Sequence, residues 1–344
     1  MPRTITVALA AALVVAACSS TGGPPETTEA PTELTLLTHG SFIVSDDVWT
    51  AFEAETGITV EVVQAGDAGA VVNQAILTAD DPTADVLFGV DTTLLSRALD
   101  AEIFTAYEAE GLDGVPDELV TSEFVTPIDF GDVCLNYDVD FFSGDLAPPD
   151  SLDDLVDPAY AGLTVVQNPA TSSPGLAFVL ATIAEYGEDG WEDWWASLAA
   201  NDVRVTSGWE EAYYGDFTVA GGGDRPIVVS YATSPPAEVI FAEERPEEAP
   251  TAVVEASCFR QVEYAGILRP SESAEALVDF MLSPAFQEDI PLNMFVFPAV
   301  EDTPLPPEFV EFSVVPDDPL SLDPERIEEH RDEWIDRWTE IVLP

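Results

Sequence analysis

Short apolar runs alternate with helix-period stretches through the first third of the chain. Residues 34–37, 58–63 and 85–93 read as strands, and residues 47–56 and 70–79 between them read as helices. Strand and helix in strict alternation predict an α/β fold with a parallel sheet covered on both faces. Ligands in such sheets sit beyond the carboxyl ends of the strands. The run 85–93 stops at Gly89, Val90 and Asp91, so it delivers Asp91 to that rim, beside the loops after Leu37 and Val63.

The rhythm then loosens. Residues 124–137, with Pro127, Asp129, Phe130 and Cys134, form one extended run, and residues 251–268, with Cys258, form a second. Both read as crossings between two domains. Between them, 151–156 and 176–186 are helical, and 163–167, 203–206 and 227–231 are strands. Thr171, Ser172, Ser173 and Gly175 open the helix at 176, where hydroxyls and free backbone N–H groups either cap the helix or bind an anion such as phosphate. Trp191, Trp194, Trp195 and Leu198 fall on one helical face and predict core packing. The segment 208–217 brings Trp209, Tyr213 and Tyr214 together with Glu210, Glu211 and Asp216. Residues 273–282 are an amphipathic helix. The tail 323–343 is another, with Ile327, Trp334, Trp338 and Ile341 on its apolar face.

The N-terminus changes the picture. Arg3, the apolar run 5–17 and Val15-Ala16-Ala17-Cys18 resemble a bacterial lipoprotein signal, with residues 1–17 removed and Cys18 lipidated; an ordinary cleaved signal is the alternative. Residues 18–32, rich in Ser, Thr, Pro and Gly, read as a flexible tether. The mature protein is therefore expected outside the cytoplasmic membrane, held by a lipid anchor alone, because no later stretch is long enough to span a bilayer. Cys134 and Cys258 remain, either as a disulfide across the two crossings or as two buried thiols.

Charge narrows the partners. The chain has 66 acidic residues against 10 basic ones, all arginine, for a formal net charge of −56. Nucleic acid and anionic membrane surfaces are excluded as partners by such a field.

Catalytic motifs are missing. Gly221-Gly222-Gly223 is followed by neither the lysine nor the helix that a phosphate loop needs. His39 and His330 are the only histidines, too few for a His-rich zinc site, and no nucleophile elbow accompanies them. No cofactor is expected. Binding rather than turnover is the reading that remains. Tyr213 and Tyr214 leave a ferric-iron site open, through phenolates and nearby acids. The same rings suit a flat organic cation by cation–π contact, worth roughly 0.5 to 2 kcal/mol per ring.

The chain resembles the bacterial extracytoplasmic solute-binding proteins, and more closely the thiamine-binding receptors of ABC importers. The resemblance spans residues 34–343. It rests on Thr38-His39-Gly40-Ser41-Phe42, the run 84–91, Pro127-Ile128-Asp129-Phe130-Gly131, Asn168-Pro169 and the segment 171–175, Gly208-Trp209-Glu210-Glu211-Ala212-Tyr213, Ser230-Tyr231-Ala232-Thr233-Ser234-Pro235, and Ser283-Pro284-Ala285-Phe286-Gln287.

The resemblance implies a type II periplasmic-binding-protein fold. Two lobes, each a sheet flanked by helices, are joined by crossover hinge strands: 33–126 with 263–312 as lobe 1, 127–262 as lobe 2, and 313–344 as a helical tail packed on a lobe. It further implies a monomeric receptor that captures thiamine or thiamine phosphates and hands it to an ABC permease. Trp209 and Tyr231 match vitamin contacts, Asp67 a site carboxylate and Ser172 a phosphate-side position. Asp91, Tyr213, Phe295 and His39 complete the expected site. His39 and Phe295 stand where the family has tyrosine and tryptophan, and Ala237 where it has a further tyrosine. A thiaminase resembles the same fold, and in that reading Cys134 would be a free nucleophile.

Overall fold

The computed structural model describes residues 33–343. The expected signal at 1–17, the lipid-accepting Cys18 and the tether 18–32 lie outside the described residues.

The strands are β1 (Glu33–Thr38), β2 (Thr59–Gln64), β3 (Val86–Asp91), β4 (Thr126–Asp138), β5 (Thr164–Gln167), β6 (Arg204–Thr206), β7 (Ile227–Tyr231), β8 (Thr251–Ile267) and β9 (Phe297–Pro298). They form a single hydrogen-bonded sheet in the order β2-β1-β3-β8-β4-β7-β5-β6, with β9 added on β4. β2, β1 and β3 are parallel, as are β7, β5 and β6. Between these halves the long strands β4 and β8 run antiparallel to each other and to their outer neighbours. The two predicted crossings therefore lie side by side, and hydrogen bonding continues unbroken from one half to the other.

Helices α1 (Asp46–Thr56), α2 (Ala68–Leu77) and α3 (Leu95–Asp100) cover the first half, and α4 (Ser173–Tyr186) and α5 (Trp191–Ala200) the second. All six residues of β3 are buried, which explains its continuous apolar run. α4 is buried from Ser173 to Ile183 and so lacks a polar face. The segment 151–156, read as helix, is a 3₁₀ turn over Leu152–Val156, closed by a capping box between Ser151 and Asp154. The tail helix Pro324–Val342 packs on the fold as its apolar face predicts: Trp338 meets Trp195 on α5 edge to face at 5.5 Å, and Arg331 donates to Ser96 on α3 at 2.9 Å. It touches both halves of the molecule.

Cys134 and Cys258 form a disulfide between β4 and β8. Both sulfurs are fully buried. A disulfide-bonded Cys134 offers no thiolate, so the thiaminase alternative loses its nucleophile here.

Candidate ligand-binding site

A cleft of about 1000 Å³, measured out to open solvent, lies between the two halves of the sheet. Its walls come from the loop after β1 (His39, Ser41), the N-terminus of α2 (Asp67), the N-terminus of α4 (Ser173), the segment after β6 (Trp209, Glu210, Tyr213, Tyr214), the end of β7 (Tyr231), the helix Ser234–Phe241 (Glu238), β8 (Glu263) and Phe295. These are strand carboxyl ends and helix N-termini, where an α/β sheet places its ligands.

Two glycines set the walls. Gly89, in a bulge of β3 with φ +94°, takes a backbone conformation that L side chains rarely adopt; a Cβ there would stand 2.3 Å from the His39 ring. Gly131 on β4 likewise leaves room for the Tyr231 ring, which a Cβ would approach to 2.9 Å.

The aromatic wall is built by local chain geometry. The short helix Trp209–Glu211 runs into one π-helical turn, Ala212–Asp216. Trp209 and Tyr213 then stack with centroids 4.9 Å apart and 16° between planes. Tyr214 stands edge-on to both, and Tyr231 meets Trp209 at 6.4 Å. Trp209 Nε1–H donates to Ser230 at 2.9 Å, Tyr231 O–H to Gln261 at 2.8 Å and Tyr213 O–H to Glu238 at 2.7 Å. The polar edges of three rings are thus held by the protein, which fixes their faces.

Carboxylates surround these faces. Asp67 accepts the backbone N–H groups of Ala68 (2.7 Å) and Trp209 (2.9 Å). His39 Nε2 lies 3.2 Å from Glu263, and Glu263 is paired across strands with Asp129. Burial alone would lower the His39 pKa, but the Glu263 carboxylate, helped by Asp67 and Asp91, raises it overall. Burial pushes the Glu238 carboxyl up, partly offset by the Tyr213 hydrogen bond. Among the described residues no lysine or arginine lines the cleft.

Six of the eight expected ligand residues line it: His39, Asp67, Trp209, Tyr213, Tyr231 and Phe295. Asp91 and Ser172 do not. Asp91 is fully buried behind the wall, accepting hydrogen bonds from Thr93, Leu94 and Gln261. Gln261 Nε2 donates to Asp91 and to Ser173, while its Oε1 accepts the Tyr231 O–H. Ser172 is fully buried as the first cap residue of α4, its Oγ without a hydrogen-bond partner; Ser173, one residue on, reaches the lining instead.

Glu238, Gln261 and Glu263 escaped sequence reasoning. The signal was present on β8, where Gln261 and Glu263 are polar residues at a spacing of two in a strand crossing the core, hence on one face. Asp129 on β4 was visible too, but its partner across the ladder was not.

The ferric reading needs phenolates. Burial pushes the Tyr213 phenol well above its ordinary pKa, with Glu238 adding to the rise, and burial followed by Glu238 and Glu210 raises the Tyr214 phenol. These shifts work against the phenolates that a ferric site would need. Among the described residues no group of three or more His, Cys, Asp or Glu gathers to hold a metal ion.

The family profile described as bacterial extracellular solute-binding protein matches residues 81–318. The chain belongs to that family. The thiamine-binding periplasmic protein of Salmonella typhimurium is 32% identical over 322 residues, covering 90% of this chain and 93% of the relative. The solved structure of a periplasmic thiamin binding protein superposes with a TM-score of 0.79 at 29% identity, over 93% of this chain and 99% of that one. Iron-bound HitA from Pseudomonas aeruginosa, at 22% identity, 90% and 99% coverage and a TM-score of 0.69, shares the fold alone. These structural relatives place the chain in the two-lobed, type II class of periplasmic binding proteins.

Proposed function

We propose that this chain is the substrate-binding component of an ABC importer, capturing thiamine between its two lobes and delivering it to a membrane permease without chemical turnover. One observation carries the reading. A wall of aromatic faces, Trp209, Tyr213, Tyr214 and Tyr231, shares the cleft with Asp67, Glu210, Glu238 and Glu263, and among the described residues no basic side chain other than His39 lines it. A thiazolium has a permanent positive charge and a flat face, so it gains from both, by stacking and by charge. The curated relatives named as thiamine-binding periplasmic proteins support the same ligand.

The N-terminus of α4 with Ser173 at the lining supports acceptance of thiamine phosphates as well, since a helix N-terminus favours an anion. In this reading lobe 1 comprises residues 33–126 and 263–312 and lobe 2 residues 127–262. The receptor acts as a monomer, exported by residues 1–17 and held to the membrane by a lipid on Cys18.

The test is a tryptophan-fluorescence titration of the ligand-stripped domain 33–344 with thiamine, thiamine diphosphate and ferric citrate, on wild type and Trp209→Ala. Saturable quenching by thiamine at micromolar concentration or below, weakened in the variant, is the expected result. No response to thiamine would discard the vitamin, and a response to iron alone would restore the tyrosine pair.

A further inference from the structure

Three ionisable side chains from three elements meet at the inner end of the cleft: His39 after β1, Asp129 on β4 and Glu263 on β8. Asp129 and Glu263 are directly opposed in the β4–β8 ladder, so their side chains stand on the same face of the sheet. Asp129 is completely buried, and neither of its oxygens meets an N–H or O–H donor. Two neighbouring carboxyls in a dry site disfavour double ionisation; burial and Glu263 raise the Asp129 carboxyl well above the usual carboxylate range. Glu263 is left as the anion. Burial works against its charge, but His39 at 3.2 Å and the Asp129 carboxyl together hold it below the usual glutamate range. His39 and Glu263 line the cleft, and Asp129 stands behind them.

Several other polar groups of the wall are already engaged. Both Asp67 oxygens accept backbone N–H groups, Glu238 accepts the Tyr213 O–H, and the Trp209 and Tyr231 donors are bound to Ser230 and Gln261. An ionised carboxylate has about four lone-pair positions. His39 Nε2 approaches one Glu263 oxygen at 3.2 Å, which leaves acceptor capacity toward the cleft.

We propose that Glu263, set at the inner end of the cleft beside His39 and opposite Asp129, determines ligand specificity by accepting a hydrogen bond from the ring amino group of an amino-heteroaromatic ligand. This deepens the thiamine reading and rests on it: the aminopyrimidine supplies that N–H edge, while the aromatic wall takes the ring faces. A ligand of the same shape with a carbonyl oxygen at that position sets a lone pair against the Glu263 carboxylate. Such a ligand is rejected, because an acceptor facing a buried acceptor leaves both unpaired.

Calorimetric titration of the domain 33–344 with thiamine and with oxythiamine, in which the ring amino group is replaced by a carbonyl oxygen, tests this. Wild type is expected to prefer thiamine by roughly tenfold to a hundredfold. Glu263→Gln, whose amide also donates, is expected to shrink that preference to about twofold while still binding oxythiamine, which shows that it folds. Glu263→Asp, with the charge withdrawn by one methylene, serves where the glutamine variant does not fold and is expected to lose most of the preference. If wild type binds both ligands equally, or if either folded variant keeps the full preference, the assignment to Glu263 is overturned while the thiamine reading stands. If wild type binds neither ligand, both fall together.

Discussion

Asp67 joins the two halves of the molecule through a single carboxylate. One oxygen accepts the Ala68 N–H and caps α2; the other accepts the Trp209 backbone N–H at 2.9 Å, across the cleft and 142 residues along the chain. Gly208 completes the approach, because a Cβ there would stand 2.9 Å from the same Asp67 oxygen. The residue that starts a helix in the first half therefore also positions the indole that forms the aromatic wall of the second. Helix capping and closure of the cleft are one interaction.

Asp67→Ala should remove both. The cap contributes about 1 kcal/mol, so the thermal midpoint should fall by a few degrees. Thiamine affinity should fall further than that loss suggests, by roughly tenfold, because Trp209 is no longer held against the opposite wall. Asp67→Asn keeps one acceptor and should lie between the two proteins. Thermal unfolding and fluorescence titration measure the two effects separately. A variant that loses stability yet binds as tightly as wild type would show that Asp67 only caps.

Much of this architecture was legible in the chain, for reasons that can be named. β3 announced itself because a strand buried on both faces carries no polar residue until its end, and the tail helix because Trp334, Trp338 and Ile341 keep its period. Trp209, Tyr213 and Tyr214 were visible as an aromatic cluster. What brings Trp209 and Tyr213 face to face is the π-helical turn, which has no sequence signature of its own. Asp91 pointed to the right rim but to the wrong depth: it is fully buried, and its carboxyl accepts from Thr93, Leu94 and Gln261. The pairing of Glu263 with Asp129 was hidden for a different reason. Their pairing depends on the register of β4 against β8, two segments more than a hundred residues apart, and register is set by tertiary packing.

The Cys134–Cys258 disulfide closes a loop of 124 residues across the two crossing strands. In the chain-entropy account a loop of that length stabilises the fold by up to about 5 kcal/mol. Replacing both cysteines by alanine should lower the thermal midpoint clearly, with thiamine binding retained once the domain is folded, since neither sulfur reaches the cleft. Binding lost in a folded double variant, or thiamine cleaved by wild type and not by the variant, would return a chemical role to Cys134.

Asp91 supplies a pH signature. Its carboxyl is fully buried, and burial, opposed by the Thr93 hydroxyl and reinforced by Glu263, raises its pKa from 3.8 to about 7. The folded protein therefore holds a proton on Asp91 that the unfolded chain has already released in this range. A group raised in this way gives its full contribution to stability below pH 4, and that contribution declines as pH climbs toward 7, by about 4 kcal/mol in all. Asp91→Asn is neutral throughout, so it should gain on wild type in thermal midpoint from about pH 4 to about pH 7 and then run parallel to it. The difference between the two proteins isolates this group from the many surface acids, which titrate alike in both. If that difference stays constant from pH 4 to 8, Asp91 is ionised in the fold, and its hydrogen bonds from Thr93, Leu94 and Gln261 outweigh its burial.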